Sequence, residues 1–288
     1  MSTGVSVRWF ESGYCVHPGF MVKPGSGIRP RHFPAGVALI DHPSAGKVLF
    51  DTGYHAQFAH STRYFPDRFH ALVAPHTLNQ GNSIKEQLAA LGIAANDIQH
   101  LILSHFHADH IAGICDFDSA QLHCHPDGYR FMTERNRLQR FHKGYLRDLL
   151  PADAEKRLVF SDQFELDLGD ILQLKSGPVG LAATDLFHDN RLYLVSLPGH
   201  AAGQIGLLVR LQQGFIFFLA DACWLIDNLR DGINQHWLAN MLCDDRRAYL
   251  DTLNKLRHCY QQRADDVRWV PSHCQETTQI LLQQGWIS

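Results

Sequence analysis

The chain has 288 residues, 45% of them hydrophobic and 19% charged, with a formal net charge of −3. That length buries a substantial core, and the composition is too apolar for a disordered chain. The slight acidic excess gives no overall field that would draw it to nucleic acid or acidic lipid.

Val5 to Phe10 reads as a first strand. The residues before it lack the charged and then apolar pattern of a signal peptide. A Gly/Pro-rich stretch follows, with Pro18-Gly19 and Pro24-Gly25-Ser26-Gly27. It reads as a surface connection, because no helix start follows that would make it a phosphate cradle. Gly36–Asp41 and Lys47–Phe50 predict a hairpin ending at Asp51-Thr52-Gly53, a turn where Gly53 takes positive φ and Asp51 bonds local backbone. The segment from Tyr54 to Gln80 is rich in aromatics and His, without clean periodicity. It is either a binding loop or lid, or a short helix that packs its aromatics on the core. Ser83-Ile84-Lys85-Glu86 has the capping-box form, with Ile84, Leu88 and Leu91 on one face.

The strand ending at Leu101-Ile102-Leu103 runs into His105-Phe106-His107-Ala108-Asp109-His110. Four metal-capable side chains in six residues, just past a buried strand, have no apparent role unless they bind metal. Beyond them, Gln121 to His125 predicts a short strand; His123 and His125 share a face, but no further ligand lies nearby. Asp127 to Leu150 has helical spacing up to Pro151. Its arginines Arg130, Arg135, Arg137, Arg140 and Arg147 read as a solvated face, or else as a pocket wall for an anionic or amphiphilic substrate. Strands are expected at Phe164–Leu168, Ile171–Leu174, Arg191–Ser196, Gln204–Arg210, Gly214–Ala220 and Val267–Val270. Asp244 is expected to cap a helix with the stripe Tyr249, Leu253, Leu256 and Tyr260, and a C-terminal helix follows the last strand.

His200, Asp221 and His273 repeat the placement of the His105 cluster, each just after the end of an expected strand. Rigid strands with short loops are how α/β layers aim side chains into a site. No linker or internal repeat divides the chain, so residues 1–288 read as a single domain with a helical insertion around 126–160. Seven cysteines, an odd count without C-x-x-C spacing, fit a reducing compartment, and the apolar run 215–222 is too short to cross a bilayer. The expectation is a cytoplasmic protein with a small-molecule substrate, no nucleic-acid or membrane partner, and a homodimer left open.

These residues resemble the metallo-β-lactamase-fold hydrolases. The family signature H-x-H-x-D-H is matched by His105, His107, Asp109 and His110, the later positions by His200, Asp221 and His273, and the preceding D-T-G by Asp51-Thr52-Gly53. The resemblance implies an α/β chain folded as a four-layer αββα sandwich. It implies two metal ions, usually Zn2+: one on His105, His107 and His200, one on Asp109, His110 and His273, with Asp221 bridging. Two such cations would share a bridging hydroxide that attacks a carbonyl or phosphoryl centre, with Asp109 passing a proton to the leaving group and Asp221 holding the metal pair.

Within that family the chain looks most similar to N-acyl homoserine lactonases, through its length, Gly13-Tyr14-Cys15, the Gly/Pro-rich segment before Asp51, and Asp221-Ala222 with an aromatic two positions on. In that group the aromatic is a tyrosine; here it is Trp224, whose N–H donates but cannot accept or ionise. Trp224 and Phe106 are therefore read as substrate contacts or, equally, as packing. Among small ester-like substrates a lactone ranks first. Thioester hydrolysis of the glyoxalase II type uses the same ligands, but the glutathione-binding domain it needs is not expected after His273. A nuclease would want a basic arm, a flavodoxin-linked redox enzyme an extension, and a one-iron dioxygenase fewer ligands. A non-catalytic ligand-binding protein would have lost ligands, and all seven positions are filled.

Overall fold

The apolar runs expected to be buried strands form two sheets in the computed structural model, which describes residues 4–21, 23–236 and 243–288. From the N-terminus, β1 (Ser6–Pro18), β2 (Pro30–His42) and β3 (Gly46–Phe50) make an antiparallel meander. Then come α1 (Ala56–Ser61), α2 (Arg68–Val73), the short β4 (His76–Thr77), α3 (Ile84–Ala90), β5 (Ile98–Ile102), α4 (Ala108–Ile111) and β6 (Gln121–Cys124). Helices α5 (Pro126–Glu134) and α6 (Arg137–His142) lead to β7 (Leu158–Phe160) and β8 (Leu166–Asp167). The second half holds α7 (Leu168–Ile171), β9 (Ala182–Asp185), β10 (Leu192–Ser196), β11 (Ile205–Arg210), β12 (Phe215–Phe218) and α8 (Asp227–Arg230). It closes with α9 (Arg246–Arg263), β13 (Val267–Val270), α10 (Gln275–Gln284) and β14 (Trp286–Ile287).

Among the described residues one sheet has eight strands, ordered β14-β1-β2-β3-β5-β6-β7 with β4 beside β1. The other has six, ordered β13-β12-β11-β10-β9-β8. Their side chains alternate between two different cores, as the period of two requires. Ala38, Ile40, Val48, Phe50 and Ile102 face Leu194, Leu207, Ile216 and Phe218 between the sheets. Trp9 stacks there on Phe218 with ring centroids 5.3 Å apart. The alternate residues Leu39, Leu49 and Leu101 pack beneath Ile84 and Leu88 of α3. On the far side, Tyr193, Val195, Leu208 and Phe217 pack beneath Tyr249, Leu253 and Leu256 of α9. The result is the four-layer αββα sandwich, with both sheets covered on both faces.

Several local expectations are corrected. The 127–150 stretch is not one helix: it breaks at Arg135-Asn136, where Asn136 caps α6, and turns at Gly144. Ile171–Leu174 is no strand, because Asp167 caps the single turn α7 by accepting from Gly169 N, and the strand β9 lies further on at Ala182–Asp185. The cap of α9 is Asp245, one residue past Asp244, and accepts from the backbone of Arg247 and Ala248. Residues 54–80 combine both readings: α1 buries Phe58 against Tyr54 and His76, whereas α2 buries nothing. No described helix is long and apolar enough to cross a membrane.

Candidate metal centre

The strand ends of both sheets meet along one edge of the sandwich, and there the seven side chains converge. Past β5, His107 caps α4 in extended conformation, and the helix turn that follows carries Asp109 and His110. His200 follows β10 across Pro198-Gly199, Asp221 lies in a one-turn 3-10 helix after β12, and His273 follows β13. His105 Nε2 and His200 Nε2 lie 3.1 and 3.0 Å from His107 Nδ1. His110 Nε2 and His273 Nε2 lie 3.2 and 3.0 Å from Asp221 Oδ1, and His200 Nε2 lies 3.3 Å from Asp221 Oδ2. Asp109 Oδ2 is 3.5 Å from His273 Nε2. Three overlapping sets have the spacing to hold a cation: His105, His107 and His200; His105, His110 and Asp221; Asp109, His110 and His273.

Four of the imidazole nitrogens turned away from this focus have fixed partners. His107 Nε2 donates to Lys143 O at 2.9 Å, and His273 Nδ1 to Pro34 O at 2.8 Å. His110 Nδ1 meets Asp51 Oδ2 at 2.7 Å, and His105 Nδ1 meets Ser104 Oγ at 3.0 Å. Such partners orient the rings and, in a neutral imidazole, set the tautomer that turns a lone pair towards the focus. His110 Nε2 and Asp221 Oδ1 are buried there without a hydrogen-bond partner among the described groups. Imidazole nitrogens and carboxylate oxygens that converge in a buried focus fit a bound cation, and the donor set suits zinc.

The electrostatics divide the imidazoles into two groups. Burial, with His110 and His107 nearby, keeps His105 neutral well below its usual range, and burial first of all pushes His200 down to about 3. Burial opposes charge on His110 and on His273 too, but Asp51, Asp109 and Asp221 outweigh it at His110, and Asp221 and Asp109 outweigh it at His273, so both are raised. Burial likewise opposes the Asp221 carboxylate, yet His273, His110 and His200 hold its carboxyl well below the usual range.

An open cleft of about 890 Å³ lies over this focus. Cys15, Phe33, Tyr54, Phe58, Val73 and Leu146 give it an apolar wall, and Asp109, Asp221, His200 and Trp224 reach it from the other side. Trp224 sits edge-on to the rings of His200 and His273, each 6.1 Å away, and its Nε1 is buried without a partner among the described residues. Phe106 does not line the cleft. It is 1% exposed and packs in the core against Gly128, where an added Cβ would come within 2.8 Å of its ring, so its reading as a substrate contact is corrected to packing. The pair His123 and His125 is also no metal site: His123 Nε2 meets His100 Nδ1 at 3.0 Å, and His125 caps α5.

Residues that the sequence reading missed hold the ligands in place. Asp51, with φ 61°, accepts from Ser104 N and Oγ as well as bonding His110, so it serves the site rather than local backbone. Tyr145, in the helical insertion, lies against the His107 ring and shares the Ala202 N–H with Asp244. No local pattern marks these residues, since the partners named here are 38 to 59 positions away in sequence.

This fold brings together an edge of His and Asp side chains with the spacing of a metal centre. Residues 33–267 match the family model for the metallo-beta-lactamase superfamily, and the chain belongs to that superfamily. Among curated relatives, the metallo-hydrolase mfmC of Annulohypoxylon moriforme is 29% identical over 76% of this chain and 56% of its own length. The N-acyl homoserine lactonase AiiB of Agrobacterium fabrum is 25% identical over 74% of this chain and 75% of its own. Among solved structures, an N-acyl homoserine lactone hydrolase with N-hexanoyl-L-homoserine at its catalytic metal centre superposes with a TM-score of 0.71 at 16% identity, covering 97% of each chain. AidC, a dizinc quorum-quenching lactonase, reaches 0.63 at 14% identity over 94% of this chain and 88% of its own. At these identities the structural likeness establishes the fold.

Proposed function

We propose that the cleft binds two zinc ions and hydrolyses a small ester-like substrate, with an N-acyl homoserine lactone type of lactone as the first choice. The observation that carries this reading is the convergence of seven His and Asp side chains, most with a fixed partner behind them, on the floor of an apolar cleft. His105, His107 and His200 would hold one ion, Asp109, His110 and His273 the other, and Asp221 would bridge them. When bound, the pair supplies Lewis acidity and a water acidified towards hydroxide near neutral pH. The protein's own groups do the rest. The wall of Phe33, Phe58, Val73 and Leu146 takes an acyl chain and excludes water from it. Trp224 Nε1 donates to a substrate oxygen that gains charge. Asp109 reaches the cleft floor, where its carboxylate can carry a proton to the leaving oxygen. The likeness to lactonases in both sequence and fold supports the choice of lactone.

The test is a metal count on the purified, zinc-supplemented protein together with turnover of acyl homoserine lactones, S-lactoylglutathione, aryl esters and a phosphodiester. Two metals per chain and preferential lactone turnover are expected, and Asp221→Ala should lose metal and activity together. Fewer than two metals, or phosphodiester turnover without lactone turnover, overturns the reading.

A further inference from the structure

Beside the cleft mouth lies a face that meets the cleft only at its rim, through His70 and Val73. Helix α2 has no buried residue, and neither has α6. The two pack on each other through Phe69 and His70 against Phe141, with ring centroids 6.1 and 4.8 Å apart, and through Arg137 Nη2 donating to Asp67 Oδ2 at 2.7 Å. Their outer side presents Tyr64, Phe65, Phe69, Leu72, Val73 and Leu138, each between 51% and 67% exposed. Isolated exposed apolar residues are ordinary, but four on two adjoining short helices and two in the turn before α2 form a patch that marks an interaction surface.

Charge identifies the partner. Residues 63–74 and 134–148 together hold seven Arg or Lys against three Asp or Glu, in a chain that has 26 against 29 overall. Arg137 and Arg140 of α6, with Arg147, line an adjoining open groove of about 680 Å³, with Asp67 and Asp148 as its acidic members. A second copy docking here about a two-fold axis would set this basic face against itself, which like charges oppose. A surface that offers phosphate groups above an apolar interior matches both halves of the face at once.

We propose that the face formed by α2, α6 and the turn before α2 docks the protein on a bilayer containing anionic phospholipid. The apolar residues enter the headgroup boundary, and the arginine groove takes headgroup phosphates. The overall charge of −3, which suggested no membrane partner, conceals this face because the rest of the chain is more acidic than the whole.

Sedimentation of the metal-loaded protein with lipid vesicles tests this. The protein should pellet with phosphatidylcholine vesicles containing about one-third phosphatidylglycerol, should not pellet with phosphatidylcholine alone, and should be released at about 0.5 M salt. Leu72→Asp and Leu138→Asp should each weaken binding about ten-fold, the loss expected when one leucine no longer inserts, with melting temperature and metal content unchanged. Arg147→Glu should weaken it while reducing the salt dependence. Three results overturn the proposal: no binding to anionic vesicles at low salt, undiminished binding by the two aspartate variants, or equal binding to phosphatidylcholine alone. A dimer that Leu72→Asp converts to monomer, without vesicle binding, would instead make the face a contact between copies.

Discussion

Asp51 shows how much one side chain can organise. It lies at the end of β3 with φ 61°, a conformation that Asp and Asn tolerate better than most residues. Its two oxygens accept from Ser104 N at 2.8 Å and Ser104 Oγ at 2.7 Å, and one of them meets His110 Nδ1 at 2.7 Å. It therefore ties β3 to the loop of ligands after β5 and keeps His110 Nε2 pointed at the focus. Asp51→Asn keeps the backbone conformation and most of the volume but removes the charge and offers one acceptor oxygen instead of two. The expected outcome is metal affinity lower by about 10- to 100-fold, as when such partners are removed from other metal-binding histidines, with the fold retained. Competition with a chelator checks it, and unchanged affinity would mean that Ser104 alone positions the ligands. The sequence reading could place Asp51 in a turn. It could not see the partners, because they sit 53 and 59 positions later.

At the level of elements, what could be read locally was read well. The capping box at Ser83 is formed as its sequence suggests, with Glu86 bonding back to Ser83 N. The β2–β3 and β11–β12 hairpins and the strand β13 fall where their apolar runs lie. The failures came where a short-range competitor won. Asp167 diverts its segment into α7, and Asn136 starts a new helix inside what looked like one. Strand β14 has two residues and gains its identity only by pairing with Val7 and Arg8. The turn into His200 combines both kinds of information. Gly199 has φ 127°, and a Cβ there would lie 2.1 Å from Tyr249 N at the start of α9. Backbone is what it would meet, so the clash cannot be relieved by a side-chain rotation. Asp245 N also donates to Gly199 O at 2.9 Å, so the turn and the helix start are one unit. Gly199→Ala should therefore displace either α9 or His200, lowering the melting temperature by several degrees and weakening the metal set that uses His200 more than the other. Metal titration read alongside thermal unfolding would reveal this, and wild-type behaviour in both would show that the turn is free to adjust.

For the molecule as a whole, the His content matters beyond the metal site. Burial lowers the pKa of His17, His42, His70, His76, His100, His123 and His125, none of them among the seven converging residues. His123 is the strongest case: burial, and then His100 3.0 Å away, bring it to about 4, between the sheets near Phe187. An unfolded chain takes up protons on these histidines as pH falls through about 6.5, whereas the folded chain resists until lower pH. Between those values the unfolded state binds more protons, so stability falls as pH falls. For His123 alone the loss amounts to about 2 kcal/mol by about pH 5. These seven residues should thus make the fold acid-labile independently of any metal. Metal-free protein should show a urea midpoint that declines steadily from about pH 7 to about pH 5, and His123→Leu should have a shallower decline because the residue no longer titrates. Leucine also leaves His100 Nδ1 without its partner, which costs some stability at every pH, so the informative quantity is the slope with pH and not the midpoint at one pH. Parallel slopes for the two proteins would place the acid sensitivity elsewhere, in the buried imidazoles of the metal centre.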